Sequence, residues 1–271
     1  GEPLFLKGRR PLQPTALGRA LADHGQVVLA TSRKASELVA DFRHGRAGLV
    51  RVGGTPFFTD ALISTMIAEF QNHHQDVHFE QSYGYLETLV TQLRNGTLDL
   101  AILPLHPSQI PQDMEFISLL TGRNVIACRS GHPLTRKGMI TLADIEPFPW
   151  IAPPADSPLY RDLQRALVSI GVEDFRVNFS GGTFASIASV LAGSDSLTVL
   201  PYSVVFQTRK MTQLEALLLK IEHPNRQLGL LVPKEQAAAP ALAHFKTFIA
   251  AQCSNLEARI QHEQQVTRRR G

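Results

Sequence analysis

Four short stretches hold the residues best suited to gripping a small molecule: Gly53-Gly54-Thr55, Ser82-Tyr83-Gly84, Ser157-Pro158 and Ser180-Gly181-Gly182-Thr183. Each follows an apolar run and opens an amphipathic one, so each marks a strand passing into a helix. Ser157 reads as an N-cap with Pro158 at the first helical position. The first N–H groups of a helix have no partner within it and carry a partial positive charge, so such junctions attract carboxylates and hydroxyls. In open α/β sheets they also lie where ligands bind, beyond the carboxyl ends of the strands. Any one of them alone reads as an ordinary cap or turn. Four together, with no catalytic group beside them, favour binding without chemistry. Phe57 and Tyr83 stand where they could cover an apolar or ring portion of the ligand.

The residues that make and break bonds do not fall into a known device. The sequence has no Gly-x-Ser-x-Gly elbow, no phosphate loop, no Gly-x-Gly-x-x-Gly, no His-Glu-x-x-His and no Cys-x-x-Cys. His73, His74 and His78, with Asp76 between them, form the one ligand-like cluster. A metal would need several of these side chains to converge, and so polar a stretch between a helix and a strand reads better as a solvated loop. Cys128 lies in the apolar run VIAC and reads as a small core hydrophobe. No metal, no cofactor and no enzymatic activity are expected.

The elements that must position these junctions follow from periodicity. From Thr15 to about Phe42, Leu17, Leu21, His24, Val28, Thr31, Ala35, Leu38 and Phe42 recur at alternating spacings of four and three. That register predicts a long helix packing on a partner helix, and no second long heptad helix occurs in the chain, so the expected partner is another copy. The helix should stop at Gly45 and Gly48. Strands are then expected at Leu49–Gly53, Val77–Gln81 and 98–103, with helices over Asp60–Phe70 and 86–93 between them. The alternation returns from Asn124 to Val205, with strands at VIAC, FPWIA and LTVL and helices over Leu159–Ile170 and Phe184–Ala192. A strand at 228–232 and a helix from Ala241 to about Ile260 close the chain. Two α/β lobes joined by crossing strands account for this order.

A chain of 271 residues can bury two modest cores, and 44% hydrophobic residues against 19% charged describes a globular protein. No run approaches the ~18 apolar residues of a membrane span. No apolar core follows the basic start, so no secretory signal is visible. Two distant cysteines exclude a disulfide scaffold and fit a reducing cytoplasm. Charge is uneven: residues 1–51 carry net +5 and the remainder −2. A basic end on a nearly neutral body suggests contact with a polyanion at that end alone.

The opening PLFLKGRRPLQPTALGRAL resembles the wing and following helix of LysR-type transcriptional regulators, with Leu4, Phe5, Thr15, Gly18 and Leu21 matching and Lys7, Pro14 and Leu17 departing. The likeness continues through GRAGLVRVG, LRNGTLDLAILP and GHPLTRKGMITLADIEPFPWI, over roughly residues 4 to 250. It implies a two-lobed, periplasmic-binding-protein-like effector domain preceded by a dimerisation helix. On that pattern residues 1–14 are a remnant of the winged helix-turn-helix, and 15–44 the linker helix. Residues 48–124 and 227–252 form one lobe, 125–226 the other, and 253–271 the helix end and a basic tail. The family's scaffold and recognition helices normally precede the wing, and this sequence does not contain them. The chain is therefore expected to start inside the DNA-binding domain.

The resemblance implies a cytoplasmic, ligand-responsive regulator sensing a small organic effector between its lobes, in sugar or aromatic-acid catabolism. Its implied effector-binding residues are Thr55, Pro56, Phe57, Ser82, Tyr83, Leu105, Ser157, Thr183 and Phe184. Lys7, Arg9 and Arg10 would touch DNA phosphates, while Leu17, Leu21, Val28, Leu38 and Phe42 would mediate assembly into a homodimer or homotetramer. DNA and RNA polymerase are the further partners, and a membrane is not. A solute-binding protein of the same fold is the alternative; it would need a signal sequence and no heptad helix. An enzyme on this scaffold would need convergent acid, base or metal groups.

Overall fold

The computed structural model describes residues 1–8, 10–44, 48–155, 158–172, 174–181, 183–217, 219–223, 225–235 and 239–270, with backbone alone at 34, 37–38, 40–44, 158 and 266–270. Arg9 and Ser157, and the side chains of Leu38 and Phe42, therefore lie outside the described residues.

The chain begins with a narrow hairpin, in which Leu6 N donates to Gln13 O at 2.8 Å and Thr15 N to Leu4 O at 2.9 Å. Helix α1 (Ala16–His44) follows. Thr15 caps it, its Oγ1 accepting from Gly18 N at 3.0 Å. A Cβ on Gly18 would stand 2.2 Å from the Leu4 carbonyl oxygen, so the hairpin can lie on the helix only where the side chain is hydrogen. Leu17, Leu21 and Val28 are exposed along α1, whereas Ala30 is buried. The Asn95 amide donates to Gln26 Oε1, tying the middle of the helix to the body.

The body contains β1 (Gly48–Gly54), α2 (Pro56–Phe58), a π-helical turn (Thr59–Ile63), α3 (Ser64–Gln71), β2 (Val77–Tyr83), α4 (Leu86–Arg94), β3 (Leu100–Leu105), β4 (Met114–Thr121) and β5 (Asn124–Arg129). Then come α5 (Leu142–Ile145), β6 (Trp150–Ala152), α6 (Pro158–Val168), β7 (Val177–Ser180), α7 (Phe184–Ala192), β8 (Thr198–Pro201), α8 (Tyr202–Thr212), β9 (Leu214–Ala216), β10 (Gln227–Pro233) and α9 (Pro240–Arg270).

The first sheet runs β2-β1-β3-β10-β4, with β1, β2 and β3 parallel and β10 antiparallel to both its neighbours. In the second lobe β8-β5-β9 is antiparallel and β6 pairs with β7 in parallel. A parallel bridge from Trp150 to Leu197 joins the two ladders into the order β7-β6-β8-β5-β9. The lobes thus repeat one plan, and each takes one strand from the far side of the crossover: β5 arrives after β4, and β10 returns.

One hydrophobic core passes between the lobes. Phe58, Leu62 and Ile63 from the segment after β1 share it with Phe184, Ile187 and Val205 from α7 and α8. A second core, around Trp150, lies on the other face of the second sheet, and a third lies between α4 and the first sheet.

Some elements escape periodicity. Helix α8 opens with Tyr202-Ser203-Val204-Val205, a β-favouring run. Val204 and Val205 are fully buried, and that packing outweighs their weak helix propensity. The closing helix reaches Arg270, well past Ile260, because its later turns lean on α8 through Glu263 and Arg209 rather than through an apolar stripe. The helix expected over Asp60–Phe70 begins at Pro56 and contains the π turn.

Candidate functional site

The junction after β1 is built by close approach. A Cβ on Gly54 would stand 2.4 Å from Thr59 Oγ1 and 3.0 Å from Ile102 O, so only glycine lets the chain turn here. Thr59 Oγ1 donates to Thr55 O at 2.8 Å, closing the first helical turn. The parallel register sets Gly53 beside Ser82 and Gly54 beside Tyr83, and Gly84 N donates to Gly54 O at 3.0 Å. The first two expected junctions therefore adjoin at the carboxyl end of the sheet.

Their hydroxyls are the notable feature. Thr55 Oγ1 and Ser82 Oγ are both buried and make no hydrogen bond with any described residue. Native interiors pair nearly all such groups, because an unpaired buried hydroxyl costs about 1–3 kcal/mol.

Asp60, in the π turn, connects the lobes at this point. Its Oδ1 accepts from Tyr83 Oη at 2.7 Å, and its Oδ2 from the backbone N–H of Phe184 at 3.3 Å. Phe184 is the first residue of α7, so a carboxylate from the first lobe already sits at a helix N-terminus of the second. By accepting its hydrogen bond, Asp60 holds the Tyr83 phenol above its usual pKa. Asp60 is the residue that junction spacing did not single out. The signal available was an acid one turn past Gly-Gly-Thr, and π turns of this kind are frequent at functional sites.

Thr183 has its hydroxyl committed: Oγ1 accepts from Ser186 N at 3.2 Å and caps α7. Phe57 and Phe184 are buried in the shared core, and Pro56 is the half-buried first residue of α2. Leu105 does not join the group. Strand alternation turns it with Leu103 and Ala101 toward α4, into the third core.

Along the same seam a cavity of about 30 Å³ lies against Phe58, Leu159, Asp162 and Arg226. A wider one of about 430 Å³ shares Asp162 and Arg226 and is also lined by His106, Ser108, Arg161 and Arg165. Arg226 Nη2 donates to Asp162 Oδ2 between them. Burial raises the Asp162 pKa even against that guanidinium.

The other reactive side chains lie elsewhere. Cys128 and Cys253 are buried free thiols, pushed up to about 12 by burial. His74 stacks on Phe70, with ring centroids 4.2 Å apart. Lys7 and Arg10 are exposed beside the hairpin. Among the described residues no helix is long and apolar enough to cross a membrane.

Comparison with known proteins gives a consistent answer. A family model described as the LysR substrate binding domain matches residues 43–254. The chain is 25% identical over 241 residues to the HTH-type transcriptional regulator GalR of Pseudomonas putida, covering 89% of this chain and 60% of that protein. It is 27% identical over 202 residues to the HTH-type transcriptional regulator GbpR of Azospirillum brasilense, covering 73% of this chain and 58% of that protein. The chain thus spans about 60% of the length of these two relatives. Full-length OxyR from Pseudomonas aeruginosa superposes with a TM-score of 0.61 at 15% identity, over 92% of this chain and 79% of that one.

Proposed function

This chain belongs to the LysR substrate-binding-domain family, and from that membership we propose that it is the sensing and assembly portion of a ligand-responsive, cytoplasmic transcriptional regulator. A small organic effector enters between the lobes, and its occupancy is passed through α1 to a DNA-binding domain of which residues 1–14 are the wing. The observation that carries this reading is the pair of buried hydroxyls, Thr55 Oγ1 and Ser82 Oγ, beside the Asp60 bridge between the lobes. An effector that hydrogen-bonds both hydroxyls removes their desolvation cost. By competing for Asp60 it also changes how the lobes are held together.

The chemistry favours a polyhydroxylated ligand of the sugar type. Asp60 brings negative charge to the N-terminus of α7, so a carboxylate aimed there is repelled, whereas a hydroxyl can donate to it. A carboxylate, as in an aromatic acid, is the second reading, and the specific support for it is Arg161 and Arg165 in the wider cavity. Assembly proceeds through the exposed apolar face of α1, whose occupant is α1 of a second copy, giving a dimer or a tetramer. DNA and RNA polymerase are partners of the whole regulator.

Thermal-shift screening against sugars, polyols and organic acids tests the sensor, because a ligand that binds only the folded state raises its stability. The expected outcome is a hit whose shift is lost in Ser82→Ala. Hits that shift Ser82→Ala and Thr55→Val as strongly as the parent would sink the cleft assignment.

A further inference from the structure

A second site lies in the second lobe, apart from Thr55, Ser82 and Asp60, although Arg123 and Asn124 of its lining also border the small cavity at the interlobe seam. A cavity of about 620 Å³ opens between the edge of the second sheet, α8 and the end of α9. That volume falls within the usual span of small-molecule sites, roughly 300–1,000 Å³. Part of its wall is apolar, where Val125 and Val205 stand with Phe206, Leu214 and Leu217. Its rim is cationic. Arg123, Lys220 and His223 come to the same mouth, and among the described residues neither Arg123 nor Lys220 has an ion-pair partner. The two acids of the lining have partners, Glu263 the neighbouring lining residue Arg209 at 2.7 Å and Glu215 the Ser130 hydroxyl.

Cations gathered at one mouth focus a positive potential there, which draws an anionic ligand. The imidazole reports the same field: burial, then Arg123, then Lys220 lower its pKa, and no acid acts on it. The Arg123 guanidinium lies 5.0 Å from the centre of the Tyr202 ring, which leaves its N–H edge for a ligand.

We propose that this cavity binds an amphipathic organic anion, an aryl or short alkyl carboxylate, with its acid group at Arg123 and Lys220 and its apolar part on Phe206, Leu214 and Leu217. Helix α9 packs on the first lobe through Phe245, Ile249 and Leu256 and reaches the second through Glu263. A ligand beside Glu263 and Gln264 therefore bears on the element that spans both lobes.

The test is fluorine NMR of the full chain titrated with para-fluorobenzoate, with para-fluorobenzyl alcohol as the uncharged control. The benzoate should bind, the alcohol about tenfold or more weakly, and Arg123→Gln/Lys220→Gln should lose about tenfold or more in affinity while keeping the parental melting temperature. Thr55→Val should bind the benzoate as the parent does. No binding at millimolar concentration overturns the proposal, as does equal binding of the alcohol or an unchanged affinity in the double variant. Loss in Thr55→Val instead would put the benzoate in the interlobe cleft.

Discussion

Thr55 and Thr183 carry the same side chain at the same kind of strand-to-helix junction, and they differ in what their hydroxyls meet. Thr55 Oγ1 is buried without a partner, while Thr183 Oγ1 caps α7. Replacing Thr55 by Val should leave the melting temperature unchanged or raise it, because a desolvated hydroxyl is removed at constant shape. Effector affinity should fall by about 1–3 kcal/mol, roughly tenfold or more. Thr183→Val should do the reverse: loss of the cap costs about 1 kcal/mol, or ~2–4 °C in a chain of this size, with little change in affinity. Melting curves and one binding isotherm for each variant decide it. The cysteines give a second expectation. With both thiols buried and their pKa near 12, a maleimide at pH 8 should leave Cys128 and Cys253 unlabelled until denaturant is added. Rapid stoichiometric labelling of the native chain would contradict the packing around them.

Helix α1 shows the limit of what one chain can satisfy. Leu17, Leu21 and Val28 are 43%, 50% and 67% exposed, an apolar row that no other part of the described chain covers. A row of this length at heptad spacing is stable when a second helix covers it. Leu21→Asp combined with Val28→Asp should therefore lower the oligomer order seen by analytical ultracentrifugation, without altering the fold of the lobes. An unchanged sedimentation profile would show that α1 is not the assembly element. At the other end α9 behaves differently: it buries Phe245, Ile249, Cys253 and Leu256 and then continues past the core on ion pairing.

Across the whole molecule, charge and shape divide the labour. The basic surplus lies in the first 51 residues, and Lys7 and Arg10 project from the hairpin. Base readout needs an element in a groove, whereas phosphate contact needs only accessible cations. This chain should therefore bind duplex DNA weakly and without sequence preference. Because counterion release supplies nearly all of that free energy, fluorescence anisotropy should show binding collapse between low and physiological salt. A specific footprint that survives physiological salt would overturn that division.

The strand-helix alternation was legible because each buried strand must be apolar throughout and each helix must keep one apolar stripe, constraints that act locally. By the same logic the sequence alone located the junctions at Thr55, Ser82 and Thr183 and the heptad row of α1. It could not reveal α8, whose valines favour a strand until the sheet buries them, nor turn Leu105 toward α4, which depends on strand register. Asp60 is the clearest case. Nothing local distinguishes it from any acid in a first helical turn. Only the meeting of the two lobes brings Tyr83 Oη and the Phe184 N–H to its two oxygens. Local pattern determined where strands pass into helices, and tertiary structure decided which hydroxyls at those junctions were left unpaired, because hydrogen-bond satisfaction is a property of the assembled neighbourhood.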